Sequence, residues 1–435
     1  MPRPLALALP ALALASLQAT AEISDGAVDA AARAVGADVV TWRRDFHQNP
    51  ELSNREFRTS KQVAEHLKAL GLEVTTGIAH TGVTGILRGG RPGPTIALRA
   101  DMDALPVTEQ VDLPFKSVAT AEYRGEKVGV MHACGHDAHT AILMGVAEAL
   151  VSLRKELPGT VLFVFQPAEE GAPDGERGGA SLMLEEGLFA AVKPDAVFGL
   201  HVGSALNAGM IGYRSGPIMA ASDRYRIDVQ GRQTHGAWPW RGVDPIVVSS
   251  QIVLGLQTIV SRQVDITRYP AVVTVGAIKG GIRNNIIPDK VEMVGTLRTF
   301  DPAVRQQIID SITRTAEDIA HAGGATATVE IAADNNPVVV NDVELTRRML
   351  PSLERVAGTG RVVEIPFVTG SEDFAFYGQK VPALFFFVGV TPAGQDPSKA
   401  PSNHSPQFFL DESGLDVGLR ALLGVAVDYL QGTKR

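Results

Sequence analysis

Residues 161–171, Val-Leu-Phe-Val-Phe-Gln-Pro-Ala-Glu-Glu-Gly, decide the architecture. Five consecutive apolar residues, all aliphatic or aromatic, read as a strand buried on both faces, and Gln166-Pro167 ends it. Similar short strands are expected over 85–88, 95–100, 196–201 and 383–389. Between them lie helical patterns over 39–49, 53–70 (closed by Gly71), 139–153 and 344–357. Continuous apolar strands alternating with helices require a sheet covered on both sides, an α/β layer architecture.

The pattern changes near Gly216. Residues 222–230 alternate, with Tyr225, Ile227 and Val229 on one face, as in a half-buried strand. A helix follows over 244–262 with Pro245 in its first turn, then strands over 271–279 and 289–299. A second helix runs to about Ala322 behind the cap Asp301-Pro302, and a last strand spans 326–332. The order β-α-β-β-α-β is that of the split βαβ, or ferredoxin-like, α+β unit. The expected organisation is a first α/β portion over 22–216, an inserted unit over 217–332, and a return to the first portion over 333–435.

Residues 1–21 stand apart. Arg3 is followed by an Ala/Leu run over 5–17 and by Ala19-Thr20-Ala21. A basic start, a short apolar run and an A-x-A site describe a secretory signal peptide, with cleavage near Ala21 and a periplasmic or secreted product. The apolar run falls short of the roughly 20 residues that cross a bilayer, and no later run is long enough. Of the 435 residues, 45% are hydrophobic and 20% charged, an ordinary globular composition. The net charge of −8 lacks a basic footprint, so nucleic acid is not an expected partner. Cys134 is the sole cysteine, which excludes an internal disulfide framework.

Four segments place metal-binding side chains just beyond strand ends or in glycine-rich turns, where α/β sheets bind ligands. In Cys134-Gly135-His136-Asp137 a thiol and an imidazole open a helix, with Asp137 and His139 as alternative ligands from the same turn. In Glu169-Glu170-Gly171 one carboxylate can bind metal while its neighbour serves as general base, the pair that hydrolysis at neutral pH needs. His201 ends an apolar strand, and His404 lies in the polar loop Pro401-Ser402-Asn403-His404-Ser405-Pro406. Each alone reads equally as structure: a core thiol, a solvated Glu pair, a capped histidine. Together Cys134, His136, Glu170, His201 and His404 exceed the three protein ligands of one catalytic zinc and suit two metals sharing a bridging ligand. No Gly-x-Ser-x-Gly is present to suggest a serine hydrolase.

These segments, with residues 43–53, 98–106 (Leu-Arg-Ala-Asp-Met-Asp-Ala-Leu-Pro) and 370–375, resemble metallopeptidase family M20 in matching order along the chain after residue 21. The resemblance is to its aminoacylase-like subfamily D, which holds hippurate hydrolases, N-acyl-amino-acid amidohydrolases and auxin-conjugate hydrolases. It implies a metallopeptidase-type catalytic domain with an inserted lid and dimerisation domain, hence a homodimer. Cys134, His136, Glu170, His201 and His404 resemble the ligands of two divalent ions (zinc, manganese, cobalt or nickel), with the thiolate bridging. Glu169 resembles the general base of amide hydrolysis by a hydroxide held between the ions. Asp103 stands behind the ligands, and His235 resembles a lid histidine that reaches an active site, its own or a partner's. Asn285 and Arg283 resemble substrate contacts; Arg298 is a second arginine able to take a substrate carboxylate. The implied substrates are N-acyl-amino acids, with dipeptides and metal-dependent peptide capture as the rival readings. Asn54-Arg55-Glu56 and Gly370-Ser371-Glu372 depart from the family pattern near the pocket.

Overall fold

A computed structural model describes residues 22–333 and 335–432. The proposed signal segment therefore lies outside the described residues. The principal sheet has eight strands. Their order is Glu73–Ile78, Gly82–Arg88, Pro158–Gln166, Arg91–Asp101, Ala196–Asn207, Ala383–Thr391, Ile211–Tyr213 and Val362–Glu364. Pro158–Gln166, Arg91–Asp101, Ala196–Asn207 and Ala383–Thr391 run parallel at its centre, while the hairpin at one edge is antiparallel.

The central strands bury both faces because their alternating side chains enter two different cores. Leu98, Phe163, Phe165 and Phe198 pack in one. Ala97, Leu162, Val164 and Val197 pack in the other. The first core is roofed by the helices Asp25–Gln48, His136–Ser152 and Ser413–Gln431, the second by the short helices Gly179–Glu185 and Ala375–Gly378. Asp25–Gln48 begins well before the expected residue 39. Ser24 caps it by accepting from Ala27 N–H, and Val28, Ala31, Ala32, Val35 and Val39 form a buried stripe at helical spacing. The last helix, Ser413–Gln431, was not expected from the sequence. It is apolar nearly all round and most of its residues are buried, so it lacks the amphipathic period that marks a surface helix.

The second expected helix starts later than residue 53, at Phe57. Leu52 instead pairs with Ala104, and Asn54 adopts a left-handed φ of 59°. The segment between them faces the functional site.

A second, four-stranded sheet is ordered Val272–Gly280, Lys290–Thr299, Ala221–Gln230 and Thr326–Ile331, all antiparallel. The helices Pro245–Gln263 and Pro302–Ala322 cover one face, each started by an aspartate cap and a proline. Tyr225, Ile227, Val229, Ile252, Leu256 and Ile312 share its core. The chain thus has an α/β portion and a separate β-rich insertion. No helix among the described residues is long and apolar enough to cross a membrane.

Candidate metal centre

The parallel strands Arg91–Asp101, Pro158–Gln166 and Ala196–Asn207 direct their carboxyl ends to one place, where a cavity of about 1830 Å³ opens. Cys134, Glu169, Glu170, His201 and His404 line it, and so do Arg298 and Arg224 from the insertion.

Cys134 lies at the middle of the cluster. Its Sγ is 3.4 Å from His201 Nε2 and 3.2 Å from His404 Nε2. His404 Nε2 is in turn 3.0 Å from Glu170 Oε1. Ligand atoms of Cys134, His136 and His201 lie within 4.8 Å of one another, and so do those of Cys134, Glu170 and His404. The thiol belongs to both groups, and His136 and Glu170 meet again in a third with Glu169, so the groups form one continuous cluster.

The turn that presents Cys134 and His136 needs glycine between them. Gly135 has φ 95°, and a Cβ there would come within 2.3 Å of Val202. His404 sits in the left-handed region at φ 71°, pinned by its N–H to Ala133 O. Asn403 donates to the carbonyls of Cys134 and Val202, so one amide ties three segments together.

The imidazoles are oriented as metal ligands are. His201 Nδ1 donates to Val202 O at 2.7 Å, leaving the Nε2 lone pair toward Cys134. His136 Nδ1 donates to Asp103 Oδ1 at 3.1 Å, and its Nε2 is buried without a hydrogen-bond partner among the described residues. Glu170 Oε1 is likewise buried without a hydrogen bond of good geometry, although His404 Nε2 is close. Unsatisfied buried groups are costly, and here they converge on a thiol.

The electrostatics point the same way. Burial, then the charges of Glu170 and Glu169, raise the Cys134 thiol well above its ordinary range. Burial works against protonation of His136, yet Asp101 and Asp103 hold it up at about 10. Burial, then His139, keep His201 neutral. Burial and the carboxylates of Glu372 and Glu170 raise Glu169 well above the usual carboxylate range. Divalent cations would relieve this excess of negative charge and stabilise the thiolate, so the residues present fit a two-cation site.

The alternative ligands Asp137 and His139 are corrected by the structure. Asp137 Oδ2 is taken by Arg43 and His47 at 2.9 and 2.7 Å. His139 spends Nδ1 on Asp101 and accepts Val202 N–H at Nε2, so although it lies near His136 it has no lone pair left. Asp101 is itself paired with Arg99 at 2.6 Å.

Asp103 accepts from His136, Ser53 and the backbone N–H groups of Glu169 and Glu170, behind the cluster. Arg298 lines the cavity; Arg283 and Asn285 are exposed on the insertion and are not among its lining residues. His235 is also exposed and outside the lining, stacked on Trp238 at 5.0 Å. Its strand Thr234–His235 pairs with Ile286–Ile287, which brings His235 and Asn285 to the same edge of the insertion.

Sequence reasoning missed Arg99 and its partners. Fully buried, Arg99 pairs with Asp101, Glu372 and Asp373 and bonds Gln166. An arginine inside the apolar run 96–100 was the available signal, because a buried charge requires partners.

This arrangement defines a metal-dependent hydrolase with a dinuclear centre. The model of "Peptidase family M20/M25/M40" matches residues 97–428. The chain belongs to that family. It is 41% identical to thermostable carboxypeptidase 2 of Saccharolobus solfataricus, over 90% of this chain and 95% of that one. It is 38% identical to N-acetylcysteine deacetylase of Bacillus subtilis, over 91% and 98%. The crystal structure of the Bacillus subtilis YXEP protein, a dinuclear metal-binding peptidase of family M20, superposes with a TM-score of 0.76 at 36% identity, covering 92% of this chain and all of that one.

Proposed function

We propose that the chain hydrolyses the amide bond of N-acyl-amino acids, as a member of the aminoacylase-like subfamily D. The observation that carries this reading is the mixed lining of the cavity. Arg224 and Arg298 from the insertion line it, and so do the apolar side chains Leu206, Met219, Phe367 and Phe387. A free carboxylate suits the first and an acyl group the second.

Cys134, His136, Glu170, His201 and His404 would hold the two ions. When bound, the ions supply Lewis-acid polarisation and an acidified water. Glu169 takes a proton from water and returns it to the leaving nitrogen. Asp103 fixes the tautomer of His136.

The insertion is a split βαβ lid over 217–332 between catalytic segments 22–216 and 333–435, and two copies of the chain meet through it. Apolar side chains open to solvent support this: Trp240 at 74%, Leu254 at 71% and Ile282 at 98% exposure. His235 and Asn285 then serve a partner's cleft rather than their own. Residues 1–21 direct export, so the enzyme works in the periplasm or outside the cell.

Glu169→Gln tests the chemistry: metal content stays, and turnover falls by about 10²–10⁴-fold. Near-normal turnover refutes the assignment. The second reading, an exopeptidase, draws on the similarity to the Saccharolobus carboxypeptidase. N-acetyl, N-benzoyl and indole-acetyl amino acids assayed beside dipeptides separate the two.

A further inference from the structure

The turn that carries Glu169 and Glu170 is closed by a long backbone hydrogen bond, Gly171 N–H to Ala168 O at 3.3 Å, and is braced mainly from outside. Ala168, immediately before it, is a non-glycine residue at φ 53°, a left-handed conformation that costs about 1–2 kcal/mol for an L-residue. Three consecutive N–H groups follow, and each ends on a buried carboxylate. Ala168 N–H donates to Glu56 Oε1 at 2.9 Å. Glu169 N–H and Glu170 N–H donate to Asp103 Oδ1 and Oδ2 at 3.2 and 3.0 Å.

Glu56 is fully buried and is fixed from its own side. Its Oε1 also accepts Asn54 N–H at 3.0 Å, and its Oε2 shares a 2.5 Å hydrogen bond with the Thr81 hydroxyl. Asn54 extends the brace by donating to Arg177 O at 3.0 Å. A Cβ on Gly178 would fall 2.9 Å from Ala168 Cβ, so the far side of the turn is packed as closely. The late start of the helix at Phe57 now has a purpose: the unwound residues 53–56 send Ser53 to Asp103, Asn54 to the loop and Glu56 to Ala168.

We propose that Glu56 is a positioning residue for the hydrolysis, holding the Ala168 turn so that Glu169 and Glu170 point at the reacting groups. The proposal rests on the hydrolytic reading of Glu169 given above. Glu56 is itself neither a member of the cluster nor a lining residue of the cavity, and it reaches the site through the backbone N–H of Ala168, which does line it. Misplacement of a reacting group by about 1 Å costs about 10²-fold in rate, which sets the scale of the effect. Burial, with the charge of Asp103, pushes the Glu56 carboxyl up to about 8. Near neutrality it therefore keeps its proton, and glutamine reproduces its hydrogen bonds to Ala168 N–H and Thr81.

The test measures kcat, KM and metal content per folded chain for the full-length enzyme and for Glu56→Gln, Glu56→Asp and Glu56→Ala, using N-acetyl and N-benzoyl amino acids. Aspartate is one methylene too short to reach Ala168 N–H, and it decides the matter if the alanine variant fails to fold. The expected result is a kcat lower by about 10²-fold in Glu56→Asp and Glu56→Ala, with KM changed by less than about threefold and Glu56→Gln restored to near the parent value. A purely structural Glu56 would lower the melting temperature but leave kcat per metal-loaded folded chain unchanged, and that result overturns the proposal. A Glu56→Gln variant as slow as Glu56→Ala overturns it as well. Failure of the hydrolytic reading looks different: the parent enzyme cleaves none of the substrates, or Glu169→Gln turns over normally.

Discussion

Arg99→Met tests whether the buried charge beneath the centre is held by one side chain. Arg99 is 1% exposed and lies 2.6 Å from Asp101, 2.8 Å from Glu372 and 3.0 Å from Asp373, all of them buried. Methionine fills much of the space and leaves three carboxylates without their cation. Removing one partner of a buried pair costs about 3–5 kcal/mol, and Arg99 serves three partners at once. With an unfolding entropy of about 2.1 cal/mol/K per residue, a chain of this length should melt about 3–6 °C lower. The loss depends on pH in a stated direction. Burial raises Asp373 to about 7 even with Arg99 beside it, and Arg99 lowers it. Without Arg99 the folded chain binds a proton there that the unfolded chain, titrating near 3.8, has already released. The folded state then holds more protons, so stability falls as pH rises. Below about pH 7 the parent holds that proton too, so the Arg99→Met deficit should grow as pH rises above about 7, read by calorimetry or fluorescence melting on metal-loaded and metal-stripped protein. A variant that melts within about 1 °C of the parent at pH 8 would refute the reasoning, because losing the buried cation either leaves charge uncompensated or forces proton uptake, and both cost stability.

Cys134→Ala removes the atom shared by both ligand groups, so elemental analysis should show loss of metal together with loss of activity; retained metal stoichiometry argues against a bridging thiolate. Arg298→Met should raise KM for substrates with a free carboxylate by about 10–100-fold, the worth of a charged hydrogen bond, and leave carboxamide analogues unchanged. His66, against Trp42 and Met144 O, is lowered by burial from 6.5, so it resists protonation when folded. Its contribution to stability declines as pH falls below about 6.5, and His66→Phe should flatten the melting curve against pH in that range.

What each level of description could know is plain from particular residues. Pattern alone indicated a sheet covered on both faces, because 161–165 and 196–200 admit no polar face. It indicated the insertion through the period-two strand at 222–230 and the aspartate-proline helix starts. It singled out Cys134, His136, Glu170, His201 and His404 through their residue types at strand ends and turns. Tertiary structure decided everything that depends on which atom is already occupied. His139 carries ligand chemistry yet is consumed by Asp101 and Val202, and Asp137 gives Oδ2 to Arg43 and His47 and joins none of the metal-capable groups, facts that no spacing encodes. The apolar helix Ser413–Gln431 had no period to read because it is buried nearly all round. Arg99 and Glu56 meet partners 273 and 112 residues away, Glu372 and Ala168. Local propensity senses a few neighbours along the chain, whereas hydrogen bonds and charge compensation act through space, so the amino-acid order nominates the chemistry and the fold decides which groups are free to perform it.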